Sequence, residues 1–183
     1  MKEFTPITFN FKQYRQELEE YRVHLAQHKE LNEQRDVLDF FSKRPQLTTQ
    51  IASLHLQVEV DAYAFEYDIF GDFRCDLVVG SKKYGQWVFV EFEEAKENSI
   101  FKIKKNTKDK YQNDYSSKFE HGYSQIIDWF YKLDDQSATN SFEQRFSTRN
   151  ITYNGMLIIG RDQYLNDAQK KRLRWRGEHT LVH

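Results

Sequence analysis

The feature that most constrains the fold of this sequence is a pair of short apolar runs that end in acidic residues. Residues 74–80 and 86–93 are rich in β-branched and aromatic side chains, and a short turn containing Gly and Lys joins them. Folding this β-hairpin near residue 83 brings Asp76 opposite Glu91. Both faces of the second run are apolar up to Glu91, which predicts a central strand covered on both sides.

The acidic residues at the end of the hairpin can be interpreted in two ways. Strand alternation puts Glu91 and Glu93 on the face that also carries Trp87 and Phe89. With Asp76 beside them, such carboxylates repel one another unless a proton or a cation lies between them, and divalent metal sites for hydrolysis are built in this way. Alternatively the hairpin end is solvated, because the residues that follow Glu93 are polar. The residues alone leave both interpretations open.

Composition excludes several classes of protein. The 183 residues include one cysteine, Cys75, which rules out an internal disulfide framework and a cysteine-based zinc site. No apolar run approaches 18 residues and the first residues lack the apolar core of a signal peptide, so we expect no membrane partner and a cytoplasmic location. The net charge of −1 means that any nucleic-acid contact would use local basic patches.

Hydrophobic periodicity along the rest of the chain predicts an α/β fold. The first helix has a thin apolar stripe, so we expect it on the outside of the molecule or against another subunit, which would make a homo-oligomer. Pro45 is expected to end the second helix. The predicted elements are helices over 10–29, 32–42, 120–133 and 165–173, one or two strands over 54–71, the hairpin, a loop over 97–118, a polar break over 134–141, and strands over 151–160 and 180–182.

The order of Asp, hairpin and Glu-x-Glu at the end of an apolar strand resembles the PD-(D/E)xK nuclease superfamily, and more closely its Shedu-type domain. This resemblance implies a restriction-endonuclease-like mixed sheet, mostly antiparallel, flanked by helices. It also divides the chain into an N-terminal helical extension over residues 1–29 and a nuclease-like domain over 30–183. The stretches that carry the resemblance are residues 32–45, 73–79, 90–101, 119–129, 158–162 and 172–176.

The resemblance implies a DNA endonuclease of an anti-phage defence system that depends on Mg²⁺ or Mn²⁺, with RNA as a second possible substrate. Asp76 and Glu91 would bind the metal together with the backbone carbonyl of Phe92. Glu33, from an early helix, would be a further acidic ligand or lie just behind the ligands. Gln125, on the helix after the hairpin, would contact the site as a catalytic residue.

Glu93 departs from the superfamily pattern, in which most members carry Lys at this position. A glutamate has no positive charge for the scissile phosphate, so Glu93 would instead be a metal ligand or the base that acts on water. Alternatively Lys96, Lys102 or Lys104 reaches the site from a neighbouring element. A third possibility is that catalysis is lost, which would leave a nucleic-acid-binding or sensing module.

Two basic runs are the candidate contacts to nucleic acid. The first contains Lys102, Lys104 and Lys105, and the second contains Arg172, Arg174 and Arg176 around Trp175. Closely spaced cations can follow a phosphate backbone, and arginine binds phosphate in a bidentate manner. A solvated loop and a helix C-terminus rich in cations are the respective alternatives.

Overall fold

The computed structural model describes residues 3–53, 55–56, 58–102 and 114–179, and in these residues five strands form one sheet in the order β1-β2-β3-β4-β5. The strands are β1 (Thr5–Pro6), β2 (Ala62–Ile69), β3 (Phe73–Ser81), β4 (Gln86–Phe92) and β5 (Thr152–Ile158). The helices are α1 (Phe11–Gln27), α2 (Asp39–Ser42), α3 (Pro45–Ser53), α4 (Ser117–Gln136), α5 (Asn140–Phe146) and α6 (Asp167–His179), with a π-helical turn (Glu33–Leu38) and a 3-10 turn (Asp162–Tyr164).

The sheet is mixed and mostly antiparallel, which confirms the predicted fold class. Each of the first three strands pairs antiparallel with the next along the chain, and β5 pairs parallel with β4. The predicted hairpin is β3 and β4, whose pairing runs from Ser81↔Gln86 at the turn to Leu77↔Val90. A helical crossover joins β4 to β5, as a parallel pair requires.

The central strand β4 separates two hydrophobic cores. Trp87 and Phe89 pack on one face with residues of α4 and α5, and both side chains are fully buried. Val88 and Val90 pack on the other face with residues of α1, α2 and α3. Because both faces of β4 are covered, whatever follows its last apolar residue lies at the edge of a desolvated layer.

Helix α1 packs against the second of these cores, although its thin apolar stripe predicted an outer position or a subunit contact. Tyr14, Leu18 and Tyr21 are part of its half-buried inner face. Glu17 is buried and accepts the backbone N–H of Leu47 at 2.7 Å, so α1 also satisfies a donor in the first turn of α3. An oligomer formed through α1 stays a prediction.

Three local predictions differ from the structure. Helix α2 ends at Ser42, as predicted, but Pro45 then begins α3, a helix that was not predicted; proline suits the first helical turn, where its missing N–H costs nothing. Helix α5 occupies part of the predicted polar break, and strand β2 begins only at Ala62. The strand predicted at 180–182 lies outside the described residues. In the described part of the chain, no helix is long and apolar enough to span a membrane.

Candidate functional site

The two strands of the hairpin separate just where the acidic residues begin. Pairing between β3 and β4 stops at Leu77↔Val90, and the next residues on the two strands are Asp76 and Glu91. Asp76 accepts the backbone N–H of Phe92 through Oδ2 at 2.8 Å, so a side chain replaces the next bond of the ladder. The carboxyl groups of Asp76 and Glu91 also affect each other's pKa, as neighbouring carboxyl groups do. The opposition that the hairpin predicted is therefore present.

Burial makes this pair hard to ionise. Desolvation, and then the nearby carboxylates of Asp76, Glu93 and Glu33, raise the pKa of Glu91 to about 8 against the opposing effect of the Gln125 side chain. Desolvation also raises the pKa of Asp76 to about 6, although the N–H of Phe92 opposes that rise. Glu91 is only 7% exposed. At neutral pH the site therefore retains at least one proton unless a cation takes its place.

A second acidic pair, Glu93 and Glu33, lies beside the first and is bridged by Lys118. The Lys118 Nζ lies 3.2 Å from Oε2 of Glu93 and 3.2 Å from Oε2 of Glu33. The contact to Glu93 is an ion pair without the alignment of a good hydrogen bond. Desolvation raises the pKa of Glu93 to about 7 despite Lys118, because Glu33 is also close. The ammonium group of Lys118 therefore pairs with the carboxylates of both Glu93 and Glu33.

The N-terminus of α4 fixes the position of Lys118. Ser116 caps the helix by accepting the N–H of Phe119 at 3.0 Å, and its hydroxyl donates to the carbonyl of Ser99 in the segment after β4. One turn further along α4, Gly122 lies against the end of the sheet, where an added Cβ would come within 2.7 Å of Leu157 and 3.5 Å of Glu93. The helix can therefore approach the end of β4 closely.

The π-helical turn, far from α4 in sequence, brings Glu33 to Lys118 and Glu93. A bridge between Leu31 and Ala95 attaches the start of this turn to the segment that continues β4. Asp36 then accepts the backbone N–H of Asn32 at 2.9 Å and pairs with Arg35, and these bonds hold the pKa of its carboxyl well below its usual range. Extra-wide helical turns of this kind are frequent at functional sites.

Gln125 lies on α4 where the resemblance implied a contact to the site. Its side chain lies close enough to Glu91 to oppose the rise in the pKa of that carboxyl group. Its Oε1 atom is buried and has no hydrogen-bond partner among the residues that the structure describes. An unsatisfied buried acceptor is rare and costly, and next to two carboxylates it needs a donor or a cation rather than another acceptor.

The donor set fits a hard divalent cation at the first pair. In the described residues, no three His, Cys, Asp or Glu side chains already form a cluster that could hold a metal ion. Mg²⁺ does not require such a cage, because it is usually bound by one or two carboxylates together with water and substrate phosphate. Asp76, Glu91 and the unsatisfied Oε1 of Gln125 are oxygen donors of the appropriate kind. Glu33 lies on the Lys118 side, and its role as a ligand stays a prediction.

In the described structure, the lysines predicted to replace the superfamily lysine at position 93 do not lie beside Glu93. Lys96 pairs with Glu94 at 2.6 Å, Lys102 is exposed, and Lys104 lies outside the described residues. Lys118 was not identified because the predicted helix began at residue 120, which left Lys118 in the preceding loop. The Ser116 cap three residues before Phe119 was the signal that could have moved this boundary.

The second basic run forms an exposed surface of cations and rings with α4 and the segment before it. The Arg172 guanidinium lies 5.1 Å from the ring of Phe101 and 5.0 Å from that of Tyr115. Arg176 makes a bidentate ion pair with Glu120 at 2.8 and 2.9 Å, so part of its capacity is used within the fold. Arg174 is exposed. Lys105, like Lys104, lies outside the described residues.

Comparison with known families gives one match. The sequence model of the family described as Shedu protein SduA, C-terminal, matches residues 30–183. The matched region begins next to the π-helical turn and includes all the acidic residues of the site, Gln125 and Lys118. No significant match was found among curated proteins or among solved structures.

Proposed function

Because the chain belongs to the family of the Shedu protein SduA, C-terminal region, we propose that it is a metal-dependent phosphodiesterase that cuts DNA in anti-phage defence. Family membership supports the defence context. The site supports the chemistry, since it combines buried carboxylates, an amide acceptor and a cation in one place. Mg²⁺ or Mn²⁺ is the proposed cofactor, DNA the proposed substrate and RNA the second choice.

The observation that carries this proposal is the Asp76–Glu91 pair. Apolar residues would stabilise the fold better than this pair of carboxyl groups, one buried and one half-buried, in which the pKa of Glu91 is raised to about 8 and that of Asp76 to about 6. Groups that are perturbed by desolvation together with a specific neighbour concentrate at functional sites. A bound cation would displace the protons to solvent and offset the repulsion between the two ionised carboxylates, so metal binding accounts for the pair.

The backbone completes the proposed set of ligands. In a strand, the N–H and C=O of one residue point to the same side. The N–H of Phe92 points toward Asp76, to which it donates, and strand geometry turns its C=O to that side as well. This carbonyl lies beyond the last β3–β4 pair, Leu77↔Val90. The proposal therefore assigns metal binding to Asp76, Glu91 and the carbonyl of Phe92, with Gln125 orienting Glu91.

In the proposed reaction a water molecule adds to phosphorus and the P–O bond to one sugar oxygen breaks, which leaves one phosphate end and one hydroxyl end. A bound metal would lower the pKa of the attacking water and offset charge on the phosphate. Glu93 lies on the same strand face as Glu91, and in the proposal it accepts the proton that this water loses. Exposed Lys102, Arg172 and Arg174 would hold the phosphates that flank the cut.

A second candidate function is binding or sensing of nucleic acid without cleavage. It is favoured by the glutamate at position 93, where most superfamily members carry Lys. In that case the basic surface is retained, while the acidic residues no longer support hydrolysis.

A cleavage assay distinguishes the two. Purified wild type, Asp76→Asn and Glu91→Ala are incubated with supercoiled plasmid, linear duplex, single-stranded DNA and RNA, in Mg²⁺, Mn²⁺ or EDTA. The nuclease proposal expects metal-dependent cleavage of at least one substrate by wild type alone. The binding module expects no cleavage by any variant, together with binding that is equal in wild type and Glu91→Ala and that weakens with salt. Absence of cleavage on every substrate overturns the nuclease proposal.

A further inference from the structure

We propose that Lys118, from the N-terminus of α4, is the catalytic lysine of this site and does the work that superfamily relatives assign to a lysine at the position of Glu93. This inference rests on the proposed nuclease function and names the residue that keeps the site active despite the substitution. In this chain the positive charge comes from a helix that lies against the strand, and not from the strand itself.

Contacts carry the assignment. The Nζ of Lys118 lies 3.2 Å from Oε2 of Glu93, so it occupies the space beside the strand position that carries lysine in relatives. The equal distance of 3.2 Å to Oε2 of Glu33 holds the ammonium from its other side. Two carboxylates from elements 60 residues apart in sequence, Glu33 and Glu93, therefore position one cation.

The charge of the site requires such a group. Four carboxyl groups, Asp76, Glu91, Glu93 and Glu33, influence one another there. An anionic phosphate approaching this cluster without a cation would be repelled, and electrostatic stabilisation by fixed charges is commonly the largest catalytic contribution. A metal ion would neutralise the first pair, and Lys118 already lies between the members of the second.

The position of Lys118 also allows it to reach a substrate. Its side chain is 46% exposed, while the Glu93 side chain that it contacts is 3% exposed, so the ammonium lies at the boundary between the buried carboxylate and solvent. An ammonium group has three N–H donors. Glu33 accepts one of them and Glu93 is paired by charge, which leaves at least one donor for a phosphate oxygen or the attacking water.

Contacts within the protein, which involve no substrate, fix the position of Lys118. The Ser116 cap bonds both Phe119 and the Ser99 carbonyl, which ties the first turn of α4 to the segment after β4. Lys118 is the second residue of that turn. A lysine at a helix N-terminus is disfavoured by the helix dipole, so pairing with Glu93 and Glu33 offsets an unfavourable position.

The test measures cleavage by Lys118→Met, Lys118→Arg and the double variant Glu93→Lys with Lys118→Met, which returns the charge to the strand. We expect Lys118→Met to lower kcat about 100-fold with KM changed by less than about threefold. We expect the arginine variant to keep a measurable part of the activity and the double variant to recover at least about tenfold over Lys118→Met. Lys132→Met is the matched control, because Lys132 is on the same helix and pairs with Asp72.

A second readout does not depend on turnover. Calorimetric titration of the protein with Mn²⁺ should show about fivefold tighter binding to Lys118→Met, because a positive charge near the metal site has been removed. A merely structural lysine would instead leave Mn²⁺ affinity unchanged or weaken it.

The outcomes separate this inference from the proposed function. If wild type cuts nucleic acid and Lys118→Met cuts within threefold of it, Lys118 is not catalytic and the nuclease proposal stands. Loss of both activity and Mn²⁺ binding in Lys118→Met, without recovery in the double variant, assigns the lysine a structural role and overturns the inference. If wild type cuts nothing, the proposed function fails and the inference fails with it.

Discussion

Replacing Glu91 with glutamine should stabilise the metal-free protein at alkaline pH. The pKa of Glu91 is raised from 4.5 to about 8 in the folded protein, mainly by burial and then by Asp76. A carboxyl group whose pKa is higher in the folded state binds more protons when folded, so the free energy of unfolding falls as pH rises from about 4.5 to about 8. Glutamine has nearly the same shape and no proton to lose.

The size of the effect follows from the pKa. At about 1.4 kcal/mol per pH unit, the difference between 4.5 and about 8 sets an upper limit of about 5 kcal/mol above pH 8. Asp76 and Glu93 share the repulsion and remain in the variant, so we expect about 2 kcal/mol of stabilisation at pH 8.5. At pH 5, where the wild-type carboxyl is protonated, the two proteins should differ by less than about 0.5 kcal/mol.

Urea unfolding in EDTA at several pH values from 5 to 8.5 measures this difference by linear extrapolation. Glu97→Gln is the matched control, because Glu97 is an exposed glutamate in the segment that follows β4. Its stability should follow that of wild type at every pH. A Glu91→Gln curve that runs parallel to the wild-type curve, or lies below it at pH 8.5, would refute the assignment of a buried, repelled carboxylate.

Three further predictions concern the metal and the packing around the site. Millimolar Mn²⁺ should raise the Tm of wild type at pH 8 more than at pH 5.5 and should not raise that of Asp76→Asn, because binding must displace protons from the pair; thermal melts with and without EDTA measure this. Ser116→Ala should lower the free energy of unfolding by about 1–2 kcal/mol, since the cap bond to Phe119 is lost, and a change below about 0.3 kcal/mol in urea unfolding would contradict it. Gly155→Ala should cost about 1–3 kcal/mol, because an added Cβ would overlap the Ile126 side chain of α4; an unchanged midpoint of denaturation would show that α4 can move away.

Short-range patterns made the central hairpin predictable. Alternation of apolar side chains over a few residues is sufficient to define a strand, and two such runs with a short turn have few ways to pair. Asp76 and Glu91 could therefore be placed opposite each other before the structure was known. Boundaries that depend on a single local choice were less accurate, since α4 starts at Ser117 rather than at residue 120 and β2 starts only at Ala62.

The sequence by itself determined the hairpin, the covered central strand and the acidic residues at its end, because each of these follows from residues close together in the chain. Tertiary structure alone decided which groups complete the site. Glu33 arrives through a π-helical turn and Lys118 through the capped start of α4, and the two meet at Glu93. Contacts between residues far apart in sequence leave no periodic signal, so the cation at Glu93 became visible only in the folded chain.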